Sequence, residues 1–118
     1  MAQGDGLFGI DGTALRLRSQ RLNLLASNIA NAATPGYQAR DIDFNQAMSL
    51  AARGYSAEQA GSQSIAYRVP TTASIDGNTV ELSTEQTQFA ENAVAYKTTL
   101  QFLQGRVDTV MQALKGDN

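Results

Sequence analysis

From Phe89 to Leu114 the chain sets an apolar or aromatic residue at alternating steps of four and three: Phe89, Ala93, Tyr96, Leu100, Leu103, Val107, Val110 and Leu114. An unbroken repeat of this kind is a heptad seam, and it predicts one long α-helix whose side chains interlock with those of a partner helix. The ends of that helix are marked. Ser83 and Gln86 have capping-box spacing, Glu85 falls in the first turn where the helix dipole favours negative charge, and Gly116 follows the last apolar residue as a stop.

A second helix is predicted from Asp11 to Ala33. Leu15, Leu22, Leu25 and Ile29 line one side of it, with Ala26, Ala30 and Ala33 beside them and Asp11 or Thr13 as N-cap. It must stop there, because Thr34 precedes Pro35 and is pushed out of the α region, while Pro35-Gly36 suits the two central positions of a type II turn. Tyr37 then begins an extended segment. At ~1.5 Å per residue the first helix spans about 34 Å and the second, Ser83 to Lys115, about 50 Å, so the longer overhangs by about three turns. A seam that stays apolar through an overhang needs neighbouring chains to cover it. In isolation such helices fray, since most helical stability comes from packing.

Composition points the same way. Of 118 residues 42% are hydrophobic, but much of that is alanine, which buries little area, so the chain builds a thin core alone. There is no Cys and no His, which removes disulfides, the common zinc sites, thiol nucleophiles and imidazole acid-base chemistry. No cofactor, no metal and no small-molecule substrate is expected, and the chain does not read as an enzyme. A formal charge of −2 gives no basic surplus for nucleic acid or an acidic membrane surface. Met1 to Ile10 lacks a basic leader and a long apolar run, and no stretch approaches the ~20 apolar residues of a membrane span, so no conventional secretory signal is expected.

Between Met48 and Leu82 neither period holds. Gly54 to Ser64, rich in Ser, Gln, Ala and Gly, reads as a flexible loop. Ile65, Tyr67 and Val69 alternate with Ala66 and Arg68, and Asp76-Gly77 between Ile75 and Val80 is a hairpin-turn signal. The expected fold is therefore mainly α: terminal helices in a coiled-coil-like helical hairpin, with a small irregular or β middle region. The chain divides into an arm and helix (1–36), an irregular middle with a β-hairpin (37–82) and the heptad helix (83–118).

Several local patterns have plain readings. Gly4, Gly6 and Gly9 spell G-x-G-x-x-G, yet no βαβ unit follows to make a phosphate cradle, so they belong to a glycine-bearing arm. Asp41 and Asp43 share a face of an extended segment and read as solvated or Arg-paired, with Arg40 and Arg68 as candidate partners. Arg18 takes a seam position between Leu15 and Leu22 within the basic stretch Arg16, Arg18, Arg21. It is expected to meet a polar or acidic group, Asp108 or one on a neighbouring chain.

The string from Leu25 to Tyr37 is more specific. Asn28-Ile29-Ala30-Asn31 followed two residues later by Thr34-Pro35-Gly36-Tyr37 resembles the N-terminal signature of flagellar rod and hook proteins. On the residues themselves, Asn28 and Asn31 lie three apart and can bond backbone groups freed at a helix end. Ala39 to Phe44, Tyr67 to Pro70, Asp76 to Val80 and Gln88 to Ala93 also look like the proximal-rod branch of that family. Ala33 stands where that family often has Asp or Asn, and 45–66 looks short. A free coiled-coil adaptor or secretion chaperone would show the seam but would not need the Asn28 to Tyr37 string.

The resemblance implies a structural subunit that polymerises through its terminal helices into the wall of a drive shaft around an export channel. It implies synthesis in the cytoplasm, type III export without a signal peptide, and residence in the basal-body rod on the periplasmic side of the inner membrane. Implied partners are further copies of the chain, the hook–basal-body adaptor FliE, other rod proteins and the export gate. Phe44 with Met48 four residues on looks like the short signal by which early flagellar substrates engage that gate; a core-facing Phe44 is the other reading.

Overall fold

Both terminal helices form where the apolar periods place them. The computed structural model describes residues 9–116, which form α1 (Gly9–Ala30), β1 (Arg40–Ile42), α2 (Phe44–Ala52), α3 (Ala57–Gln63), β2 (Ile65–Tyr67) and α4 (Leu82–Lys115). The largest interface in the molecule joins α1 to α4. They run antiparallel, so that Asp11 meets Arg106 near one end and Asn28 meets Glu85 near the other. The fold is mainly α, a long helical hairpin of overall extents 68 × 27 × 18 Å with a two-stranded sheet in its middle region.

α1 ends at Ala30 rather than Ala33, for a reason visible in the sequence. Pro35 has no N–H to give the Asn31 carbonyl, so that carbonyl accepts from Thr34 at 3.0 Å in a tighter turn. The side-chain amide of Asn78 takes up what is left, reaching the carbonyls of Asn31, Ala32 and Thr34 at 2.9, 3.1 and 2.7 Å. The turn that follows is the expected type II: Tyr37 N–H returns to the Thr34 carbonyl at 3.2 Å with Gly36 at φ 76°, a value an L side chain resists. At the other end α1 starts at Gly9, so Asp11 and Thr13 lie inside the helix instead of capping it. Residues 1–8, with Gly4 and Gly6 of the glycine arm, lie outside the described residues.

The middle is more ordered than its composition predicts. The stretch read as a loop from Gly54 to Ser64 holds α3, opened by a Ser56/Gln59 capping box and buried through Ala57, Ala60 and Gly61. α2 precedes it, capped by Asp43, whose carboxylate accepts from Gln46 N–H at 3.0 Å. α3 buries only small residues and shows little apolar period, whereas α2 does carry one, Phe44, Ala47, Met48 and Ala51 at helical spacing, in only nine residues that follow directly on an extended segment. The sheet differs too. β2 pairs antiparallel with β1, Arg40 opposite Tyr67 and Ile42 opposite Ile65, and not across Asp76-Gly77 with the segment near Val80. Asp76 instead accepts from Ser74 Oγ at 2.8 Å and Asn78 N–H at 3.0 Å, forming the local turn that aims Asn78 at the end of α1.

The core lies where α1 meets β1 and the α2–α3 pair. Leu17, Ile42, Ala47, Leu50, Ala51 and Ala60 form one buried cluster, flanked by Leu24, Phe44 and Met48. α1 is thus covered on two sides, by α4 and by the α2–α3 pair. α4 begins at Leu82 with Glu81 at its cap position and no side-chain cap bond, so the Ser83/Gln86 box expected there does not form.

Candidate functional site: the junction of the terminal helices

α1 brings Arg18, Arg21 and Asn28 to face α4, and α4 answers with polar groups. Glu85 and Asn92, one heptad apart, are 0% and 1% exposed, while Leu103 at 8% is the other buried residue of that helix. These three share one line of α4, and the seam residues Phe89, Ala93 and Leu100 lie about 40–80° round the helix from it. The joint inside the chain is therefore polar at Glu85 and Asn92 and apolar at Leu103, which belongs to the seam, while Phe89, Ala93 and Leu100 lie to one side of it.

Asn28 is the hub. Its amide nitrogen donates to the Arg40 carbonyl at 2.7 Å and to Glu85 Oε1 at 2.8 Å. Its oxygen accepts from Arg40 N–H at 3.1 Å and from the Tyr37 hydroxyl at 3.3 Å. Two donors and two acceptors use all the ordinary capacity of an asparagine amide, so this side chain is fully satisfied at 0% exposure. It pairs with the β1 backbone as a neighbouring strand would. Ser27 Oγ lies 3.0 Å from the Tyr37 hydroxyl and supplies that oxygen with its own O–H. Asn31 behaves as expected for a helix end, donating to the Ser27 carbonyl at 2.8 Å and accepting from Thr34 Oγ1 at 3.0 Å. Ile29 between them is half-buried.

A four-charge network adjoins the hub. Arg21 grips Asp41 with two bonds, Nε to Oδ1 at 2.7 Å and Nη2 to Oδ2 at 2.9 Å, and reaches Gln88 of α4 at 2.7 Å. Arg68, just beyond β2, donates from Nε to Glu85 Oε2 at 2.6 Å and from Nη2 to Asp41 Oδ2 at 3.0 Å. Two guanidinium groups and two carboxylates cancel, which is what lets them lie together away from water. Arg68, one of the two candidate partners, does pair with Asp41. Arg40 makes no ion pair among the described residues and serves through its backbone, and Asp43 caps α2. Arg18 meets Asn92 rather than Asp108: its Nη1 donates to Asn92 Oδ1 at 3.4 Å, and its guanidinium lies 4.0 Å from the centre of the Phe44 ring.

Burial alone would raise the Asp41 carboxyl, but Arg21's bonds and charge, the Ile42 amide and Arg68 outweigh it and hold it below the usual carboxylate value. For Arg68, burial works to lower the guanidinium, and Glu85 and then Asp41 reverse this and raise it. A depressed carboxyl contributes stability that is complete above its unfolded value, about 3.9, and lost as pH falls through the lower folded one. Urea melts between pH 7 and pH 2 are expected to weaken below about pH 4. Asp41→Asn is less stable at pH 7 and flatter through the acid range; an unchanged acid slope in that variant would remove Asp41 from the titrating network.

The seam residues divide. Leu25 and Leu103 are buried within the chain, so neither is available to a neighbour; Leu15, Leu22, Ala93, Tyr96, Leu100 and Val107 are half-buried. Phe89, Val110 and Leu114 are exposed, the last at 77%. Phe44 and Met48 pack on the core cluster. The sequence reading missed Glu85, Gln88, Asn92 and Arg21 as parts of the junction. The available signal was the polar heptad step from Glu85 to Asn92 opposite an arginine-bearing helix.

The family model for flagella basal body rod protein matches residues 10–38, which span α1 and the turn at Pro35-Gly36. The flagellar basal body rod protein FlgB of Cereibacter sphaeroides is 47% identical over 93% of this chain and 94% of its own length. The chain belongs to the FlgB family of flagellar rod proteins. The FlgB proteins of Escherichia coli and Aeromonas hydrophila are 40% and 38% identical, covering 97% and 96% of this chain. This FlgB-family member is a structural component of the flagellar basal body rod. The alignment with the E. coli relative runs over 133 positions, more than this chain has residues, so that relative carries additional residues.

Proposed function

We propose that this chain polymerises through its terminal helices to build the proximal rod, packing as a wall around the flagellar export channel. The carrying observation is the reach of α4. Beyond the Arg106–Asp11 pair its apolar residues are exposed among the described residues, Val110 at 41%, Met111 at 51% and Leu114 at 77%. A stripe of this kind on a helix that outruns its partner fits burial against neighbouring chains. Those neighbours are further copies of the chain, other rod proteins and the adaptor FliE, on the periplasmic side of the inner membrane.

The location of each seam residue selects the test. Leu103→Asp would disrupt the hairpin itself, whereas Leu114→Asp leaves the folded monomer intact and places a charge only where a neighbour packs. Leu114→Asp is expected to keep the parent melting curve while swimming is lost and the subunit disappears from isolated basal bodies. Normal swimming would remove the overhang from the assembly surface.

The chain reaches its site through the type III export gate without a signal peptide, and in the unfolded substrate Phe44 and Met48 form the short hydrophobic signal for it. In the folded chain both belong to the core flank, so Phe44 has two separable duties. Phe44→Ala is expected to leave the protein present in the cytoplasm and lost from the exported fraction. Undiminished export together with failed incorporation would assign Phe44 to folding alone.

A further inference from the structure

Glu85 is a charged residue at 0% exposure on the line of α4 that meets α1, where a helix of this type ordinarily carries a branched apolar residue. Its partners come from separate parts of the chain. Asn28 of α1 donates to it at 2.8 Å, and Arg68 beyond β2 donates at 2.6 and 3.3 Å. Arg68 is in turn held by Asp41 of β1 at 3.0 Å. An apolar side chain at this place would be content in any register that set an apolar row against α1. The heptad period of α4 offers several such rows, each displaced by about 10 Å from the last. A dry carboxylate is satisfied only where its donors are.

We infer that Glu85 is a register-determining residue of the hairpin, beside Asn92, which donates to the Arg18 carbonyl at 2.9 Å, and that the bonds of Glu85 to Asn28 and Arg68 make the docking of α4 on α1 conditional on the pairing of β1 with β2. The unassembled subunit then commits α4 to one position only after the middle has folded. In slipped registers Glu85 has lost its donors. The role holds independently of whether the exposed seam mediates polymerisation.

The chain has no Cys, so two introduced cysteines carry spin labels without background. Asn23 on α1 and Thr98 on α4 are both exposed and suit the labels. In the full chain the label separation is expected to be single and narrow. The double variant Arg68→Leu with Glu85→Leu removes one charge of each sign and leaves Arg21 paired with Asp41, so the joint stays neutral. It is expected to keep its helix content and show a second population displaced by about 10 Å, one heptad. Glu85→Gln, which retains an acceptor for Asn28, is expected to keep the single separation. A double variant with the parent's single separation would overturn the inference, and so would one that loses its helices, because the network would then be supplying fold stability instead of register.

Discussion

Replacing Arg68 by Ala is expected to destabilise the chain by about 3 kcal/mol, far more than the loss of a surface arginine. The cost falls on Glu85. With Arg68 gone, a carboxylate at 0% exposure keeps Asn28 as a neutral donor but has no counter-charge, and Asp41 loses one of its two guanidinium partners. Breaking one side of a buried pair costs more than the pair contributed, because the remaining charge stays desolvated. For a chain of this length the change corresponds to a melting temperature lower by about 10 °C. Adding Glu85→Gln to Arg68→Ala is expected to recover more than half of the loss, since the amide is neutral and still bonds Asn28. A double variant no more stable than Arg68→Ala would show that Arg68 acts through packing of its stem instead of its charge.

Leu17→Ala is expected to cost about 3–4 kcal/mol, and Leu15→Ala about half as much or less. Seam position alone ranks them the other way. Leu15 lies on the predicted stripe, yet it is half-buried, whereas Leu17 is 0% exposed at the centre of the core cluster. Three of its cluster neighbours are Ala47, Ala51 and Ala60, which are too short to move into the space a truncated Leu17 would leave. The residual cavity therefore persists and adds to the lost transfer energy. Chemical denaturation of the two variants side by side measures the ranking, and a Leu15→Ala loss equal to or above that of Leu17→Ala would place the working core on the α4 side of α1.

The two long helices, the break at Pro35-Gly36 and the family were legible because each rests on local chemistry. A heptad row dictates a helix wherever it is set, and a proline removes the same N–H in any context. Glu85 shows where that legibility stops. From sequence it is a first-turn acid suited to the helix dipole; its burial and its role follow from Arg68 and Asn28, which lie 17 and 57 positions away along the chain. The α2–α3 pair was hidden for a related reason. α3 buries only Ala57, Ala60 and Gly61 and leaves almost no period to detect, and the nine residues of α2 are too few for Phe44, Ala47, Met48 and Ala51 to stand out as a helical face until Leu17 and Ile42 pack against it.

The sequence by itself thus determined that this chain has two amphipathic terminal helices of unequal length, a turn between the first helix and an extended strand, and the Asn28 to Tyr37 signature of its family. Tertiary structure alone decided which groups of those helices face each other. Helical periodicity assigns residues to a stripe, but which stripe is buried within the chain depends on where partners from distant segments arrive. Here Arg18, Arg21, Asn28 and Arg68 arrive at the polar line of α4, so that line closes the hairpin and the end of the apolar seam stays open.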